Sequence, residues 1–392
     1  MSIEVTVILP SFNRYPLNQL SLYALENQTF DLSKMEVIFV DDASTDETPS
    51  LKNYKAPFAF RYIRNNENYG RSKTRNTGIK EAKGQILIFL DAEVIVGPEF
   101  VKNHYQRHLT QEPLVVTGKY VNKLYSYLFP GFDKYQLRDV RKLSKNSDFA
   151  KSRIKPAMET ETGQPVQLLF KQDILSLPTI KQFSKPKTYE EKIVSAFNDK
   201  FRLPWISCTT LNHSVRKSLV DSIGGFDESF IGHGLEDYEY GFRLYQAGAR
   251  FSYDPNISVY HQEHAKEGNW SKNNIRNLIL FQQKHPFIDV YLLSLEKIGV
   301  HDYTFMDNIM SDYQTIMHKY PDLYTGFIKA LQALLRQIPL LKSDDKPVTN
   351  LFTESGIEDN LDWKSRIELE YQSLKHEGFE HVTKLYDLLT GL

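Results

Sequence analysis

The chain has 392 residues, 41% of them apolar, which is enough for a sizeable core with an accessory region beside it. Its 48 Lys and Arg nearly cancel its 49 Asp and Glu, so no global field draws it to nucleic acid or to an anionic membrane, and any electrostatic steering has to be local. A single cysteine, Cys208, excludes an internal disulfide framework and a multi-cysteine zinc site, and fits a reducing compartment.

The opening MSIEVTVILPSFNR has a short apolar run between Glu4 and Pro10, not a basic region followed by a long apolar one, so it does not read as a signal peptide. No stretch approaches the roughly 18 apolar residues of a membrane span. The expected location is cytoplasmic, at most peripheral to the inner face of a membrane. From here, short runs rich in Val, Ile and Phe alternate with longer amphipathic segments, the pattern of a parallel sheet covered by helices. Strands are expected at Val5–Leu9, Glu36–Val40, Arg61–Ile63, Gln85–Leu90 and Leu114–Thr117, and helices near Asn18–Gln28, Gly70–Ala82 and Pro98–His108. Ligands of such sheets collect at the carboxyl ends of the strands. Three polar clusters follow those ends here: Pro10-Ser11-Phe12-Asn13, Asp41-Asp42-Ala43-Ser44 and Asp91-Ala92-Glu93.

Between about 121 and 202 the alternation weakens, and Lys134–Lys155 carries eight Lys or Arg against two Asp. This stretch reads as an insertion over the catalytic face, either a solvated basic surface or a contact for an anionic or phospholipid-linked acceptor. Beyond about 271 the apolar spacing in Ile275–Phe281, Phe327–Ile338 and Val382–Leu389 predicts a helical module, as suited to covering a core face as to forming a dimer. The expected division is therefore 1–270 and 271–392.

Asp91-Ala92-Glu93 follows a fully apolar strand, so two carboxylates reach the ligand edge on a rigid support, and hard oxygen donors at that spacing suit Mg²⁺ or Mn²⁺ on a diphosphate. A helix N-cap with a first-turn acid is the bland alternative. Glycines in Gly224-Gly225-Phe226-Asp227-Glu228 and Gly232-His233-Gly234-Leu235-Glu236-Asp237 allow close backbone approach to a ligand. Glu236-Asp237 is expected to open a helix through Tyr240, Phe242 and Leu244, where the helix dipole would keep Asp237 ionised as a general base requires. His261, in VYHQEH, could complete a metal site, with His264 the competing candidate.

In order and spacing, VILPSFNR, VDDASTDET, NxGRSKTRNTGI, FLDAE, NHSVRKS, GGFDESF, GxGLEDYEYGFRL and VYHQEH together resemble the family 2 glycosyltransferases of the GT-A fold. They cover about residues 3–264, and the HQE, GGFDE and ED segments look most like bacterial chondroitin-polymerase-type and polypeptide GalNAc-transferase-like domains. The resemblance implies a mixed α/β sheet flanked by helices and an inverting, Mn²⁺- or Mg²⁺-dependent transfer from a UDP-sugar to a saccharide or lipid-linked saccharide, in bacterial surface polysaccharide synthesis. It implies that Pro10 and Asp42 contact the base, Asp42 by accepting from the uracil imide, and that Arg71 or Lys73 lies near the base or diphosphate. Asp91 would face the ribose or a metal-bound water, Glu93 and His261 would bind the metal, Asp237 would be the base, and Glu236 would position the acceptor hydroxyl. Two departures stand out: Glu93 replaces the usual aspartate, and His233 replaces an aromatic before the ED pair.

A nucleotide-sugar pyrophosphorylase or a dinucleotide-binding dehydrogenase would need a Gly-rich loop after an early strand, and none is present. The remaining rival is an inactive saccharide-binding or assembly subunit that keeps the fold.

Overall fold

The computed structural model describes residues 2–109, 113–160, 163–186, 200–265 and 270–392. The chain divides into two compact units. One takes in residues 1–190, 205–232 and 236–268; the other takes in 191–204, 233–235 and 269–392.

The first unit is built on a mixed sheet. Its strands are β1 (Val5–Ser11), β2 (Met35–Asp41), β3 (Ala59–Arg64), β4 (Ile86–Phe89), β5 (Val94–Val96), β6 (Leu114–Leu124), β9 (Ser184–Pro186), β10 (His213–Arg216) and β11 (Arg250–Gln262), while β7 (Tyr127–Leu128) and β8 (Val166–Gln167) form a separate ribbon. The order is β3-β2-β1-β4-β10-β6-β11-β5, with β9 on β6. β1, β2 and β4 pair in parallel, as their near-continuous apolar runs predict, and are buried on both faces, while β3 pairs in parallel with β2 but is only half-buried. The sheet as a whole is not parallel: β10 runs antiparallel between β4 and β6, and β5 runs antiparallel to β11.

Helices α1 (Leu17–Glu26), α2 (Arg71–Glu81) and α3 (Phe100–Arg107) connect the early strands, within two residues of the sequence-predicted bounds at most ends. Part of the 121–202 stretch is built into the sheet and its core. β6 runs on to Leu124, and α4 (Lys134–Leu143) and α5 (Asp148–Glu159) bury Val140, Leu143, Ala150 and Ile154 in the same apolar cluster as β1, β2 and β4. Residues 161–162 and 187–199 of the proposed insertion lie outside the described residues.

Two buried histidines, His104 and His108, lie against β10, and a third, His213, belongs to it. Ser214 Oγ is 2.8 Å from both His104 Nδ1 and His108 Nε2, and His104 Nε2 is 3.1 Å from Asn212 Oδ1. Burial pushes His104 and His213 down to about 3 and His108 to about 4. The folded protein therefore holds all three neutral at pH 5.5, where an unfolded chain with histidine pKa near 6.5 takes up three protons. Stability is present above pH 6.5 and lost as pH falls through that value, by about 1.4 kcal/mol for each histidine and about 4 kcal/mol in total between pH 7.5 and 5.5. Urea midpoints measured across that interval test this, and a midpoint that does not move would refute the neutral cluster.

The second unit is helical, with Trp270–Lys284, Tyr303–Lys319, Thr325–Ser343, Leu361–His376 and Glu380–Thr390 as its long elements. Glu370 accepts from the Phe327 amide at 2.6 Å, and Trp363 Nε1 donates to Gly326 O at 3.0 Å, which ties two of these helices by polar bonds inside their apolar contact. Among the described residues, no helix is long and apolar enough to cross a membrane.

Candidate active site

Because β1, β2 and β4 are parallel neighbours, the segments that follow them leave one edge of the sheet. Asn13 (φ 52°) and Ala43 (φ 61°) turn the chain there in the left-handed region. The Asn13 amide donates to Ser44 Oγ at 2.9 Å, and Asn13 Oδ1 accepts from the Thr45 amide at 2.8 Å, so the first two turns are bonded to each other. Asp41 is an internal anchor, accepting from the Ser44 amide and bonded to Tyr62 and Arg64.

Asp42 is buried. Its Oδ1 accepts from Asn65 Nδ2 (2.7 Å) and the Tyr69 amide (2.9 Å), and its Oδ2 from the Gly70 amide (2.8 Å). It thus organises the loop before α2 as well as facing the edge. A carboxylate offers about four lone-pair sites, so one more donor can still be accepted. Pro10 sits in β1 opposite Val40. Arg71 opens α2, and Lys73 Nζ stands 3.5 Å from the centroid of the Tyr69 ring.

Glu93 is the focus of the edge. Its Oε1 lies 3.2 Å from Arg14 Nε, 3.7 Å from His261 Nε2 and 3.6 Å from His264 Nε2. One ligand atom from each of Glu93, His261 and His264 lies within 4.8 Å of the other two. The two histidines that the sequence set in competition are therefore brought together. Burial pushes the Glu93 carboxyl up, but Arg14, then the bonds from His261 and His264, outweigh it and hold it well below the usual carboxylate range. His264 Nδ1 is 2.8 Å from Ala265 O, a contact that orients the ring so that Nε2 faces Glu93.

The support beneath is rigid. His261 pairs with Val94 across β11 and β5, and the neighbouring Gln262 amide donates to Glu93 O at 3.0 Å. The buried Gln262 Nε2 also bonds Leu17 O (2.9 Å) and Glu93 O (3.1 Å), while Gln262 Oε1 accepts from Ser126 at 2.7 Å.

Asp91 is not one of the three clustered groups. Its Oδ1 accepts from Arg75 NH2 at 3.3 Å, and Arg75 NH1 reaches Glu236 Oε1 at 3.2 Å. Arg75 is 1% exposed and links the turn after β4 to the first residue of the helix Glu236–Gln246. Asp237, next on that helix, accepts from the Tyr238 amide at 3.0 Å. Its carboxyl is pushed up to about 7, first by burial and then by the charge of Glu236, with Arg75 opposing. The expectation that the helix N-terminus keeps Asp237 fully ionised is corrected: desolvation and a like charge outweigh the dipole.

A Cβ on Gly225 would meet Asn76 Oδ1 at 2.6 Å, and one on Gly234 would meet Asn274 Nδ2 at 2.5 Å, so their close approaches are to the protein's own side chains. Arg14 and Arg75, both inside the motifs already quoted, went unassigned in the sequence.

Two family descriptions match the chain: Glycosyl transferase family 2 over residues 6–154, and the N-terminal domain of galactosyltransferase over residues 191–265. The chain is a glycosyltransferase with a family 2 domain. Uncharacterized glycosyltransferase YfnE of Bacillus subtilis (strain 168) is 29% identical over 339 residues, 84% of this chain and 83% of that protein. Hyaluronan synthase of Pasteurella multocida is 26% identical over 301 residues, 75% of this chain and 28% of that one. Chondroitin synthase of Pasteurella multocida (strain Pm70) is 25% identical over 307 residues, 76% of this chain and 29% of that one. The glycosyltransferase thus spans less than a third of either synthase. Its mixed sheet flanked by helices is the architecture that its motifs imply.

Proposed function

We propose that this glycosyltransferase is an inverting, metal-dependent enzyme that moves a sugar from a UDP-sugar to a hydroxyl of a saccharide or lipid-linked saccharide in surface polysaccharide synthesis. The observation that carries the reading is the convergence of two devices on one sheet edge: the cluster Glu93, His261 and His264, and the pair Glu236-Asp237 joined through Arg75 to Asp91. The relatives named as polysaccharide synthases support a saccharide acceptor.

One carboxylate and two imidazoles suit Mn²⁺, and Mg²⁺ less well, since its preferred donors are all oxygen. Glu93, His261 and His264 would hold the ion, and when bound it supplies Lewis-acid neutralisation of the charge on a leaving diphosphate. Asp237 would take the proton of the acceptor hydroxyl as that oxygen bonds to the anomeric carbon. The bond to the diphosphate breaks on the opposite face, and the configuration inverts. Asp42 would accept from the base imide, Pro10 would pack against the base, Arg71 or Lys73 would meet the phosphates, and Glu236 would steer the acceptor hydroxyl.

The test is UDP release from a panel of UDP-sugars with Mn²⁺, with Mg²⁺ and with chelator. Metal-dependent release from one donor supports the reading; neither release nor metal-dependent UDP binding would make the chain a saccharide-binding subunit. In the same assay, Glu93→Ala is expected to weaken metal-dependent UDP binding at least about 100-fold, since it removes the only carboxylate of the cluster. Calorimetry that finds unchanged Mn²⁺-dependent UDP affinity would remove Glu93 from the metal site.

A further inference from the structure

The Lys and Arg residues of the 134–155 stretch are not scattered. On α4, Lys134, Arg138, Arg141, Lys142 and the following Lys145 are all exposed, while Gln136, Asp139, Val140 and Leu143 are buried. Positions 134, 138, 141 and 145 follow the i, i+4, i+7, i+11 spacing of one helical face. The one acid within the helix, Asp139, turns inward and is held by Lys185 Nζ at 2.6 Å. None of the five cations forms an ion pair among the described residues, whereas Lys34, Arg61, Lys102 and Lys217 elsewhere on the surface each have a carboxylate partner. In a protein of net charge −1, this face therefore carries an uncompensated positive stripe.

The same helix is fastened to the candidate metal cluster. Gln136 Nε2 donates to His264 O at 2.9 Å and to Glu263 Oε2 at 3.3 Å. The stripe lies on the opposite side of α4, about one helix diameter, or roughly 10 Å, from His264. Tyr135, 55% exposed, stands on it with Lys134 Nζ 5.2 Å and the Arg138 guanidinium carbon 5.4 Å from its ring centroid. An aromatic face between two cations suits a sugar ring that bears or neighbours an anionic group.

We propose that the exposed face of α4 is a subsite for a polyanionic acceptor chain, one carrying repeated phosphodiester or carboxylate groups, which it holds as the acceptor end enters the transfer site. This rests on the transferase reading above and names the class of its acceptor. A bilayer surface is the weaker occupant. A helix that lies in a membrane must offer its apolar face to the acyl region, and on α4 Val140 and Leu143 are already spent in the core, leaving Tyr135 alone among polar neighbours.

The experiment uses the full chain with long-chain inorganic polyphosphate as probe, neutral dextran as control and phosphatidylglycerol vesicles as competitor. Polyphosphate is expected to bind with an affinity that falls steeply with added salt, and Arg138→Gln/Arg141→Gln/Lys142→Gln is expected to weaken it about ten-fold. Arg138→Lys/Arg141→Lys should retain binding, which separates charge from folding. UDP release from donor without acceptor should be the same in native and triple-variant protein. Its absence in both would count against the transferase reading, while the binding result still decides this one. Unchanged polyphosphate affinity in the triple variant, no binding to the native protein, or vesicle binding that polyphosphate does not displace would each overturn the proposal.

Discussion

Asp237→Asn is expected to lower kcat by roughly 10²- to 10⁴-fold while leaving metal-dependent UDP affinity unchanged, because a general base contributes about that much and only to the chemical step. The amide keeps the size of the side chain and an oxygen for the Tyr238 amide, so the helix start survives the change. The same residue sets a pH dependence. Its carboxyl is pushed up to about 7, and only the ionised form can accept a proton, so kcat/KM should fall tenfold per unit as pH drops below about 7 and level off above it. Initial rates taken where circular dichroism is unchanged separate this limb from acid unfolding of the histidine cluster. Near-native turnover in Asp237→Asn, or a rate flat from pH 8 to 6, would assign the base elsewhere.

Arg75→Met is expected to cost about 3–5 kcal/mol of stability, the usual consequence of taking one partner from a buried ion pair. Glu236, 3% exposed, would keep its burial and lose the guanidinium 3.2 Å away. The sign of the second effect is also fixed. Arg75 opposes the upward push on Asp237, so in any variant that still folds the acid limb of the rate profile should move to higher pH. Arg75→Lys should fall between, since an ammonium is a point charge and cannot span Asp91 and Glu236 as the planar fork does. Denaturation midpoints and the pH profile check both effects, and a loss below about 1 kcal/mol with an unmoved limb would make the bridge incidental.

The strands that carry the first three turns were legible because each is an uninterrupted apolar run, the mark of a strand buried on both faces. β11 was not. Its sequence RFSYDPNISVYHQ has no clean alternation, since the register shifts between Asp254 and Ser258 and takes Pro255 into the irregularity. β5 is three residues long, too short for any periodic signal, although it pairs with the strand that bears His261. Of the site, Asp42, Glu93, Asp237 and His261 stand where strands end or a helix opens, but position alone left their roles open and only the resemblance of the surrounding motifs implied them. Arg75 could not be read even so, because α2 buries polar residues, Ser72, Thr74 and Arg75 among them, so its inner face is not marked by hydrophobicity. The faint signal was a charged residue four positions before Ile79 on the side of the helix that must meet the sheet. That His261 and His264 lie together beside Glu93 could not be read from their three-residue spacing, because it depends on where β11 ends.

Gln262 gives the cluster a property that none of its ligand side chains could supply. This buried amide bonds α1, the backbone of Glu93 and Ser126 at once, and lies in the chain between the two histidines. The segment bearing His261 and His264 and the turn bearing Glu93 are therefore fixed to each other when the protein folds, before any ion or donor arrives. If the cluster holds a metal as proposed, discrimination between cations would depend on whether an ion fits a set spacing rather than on how far loops can adapt, and a cation of the wrong radius would meet resistance from the core of the sheet itself.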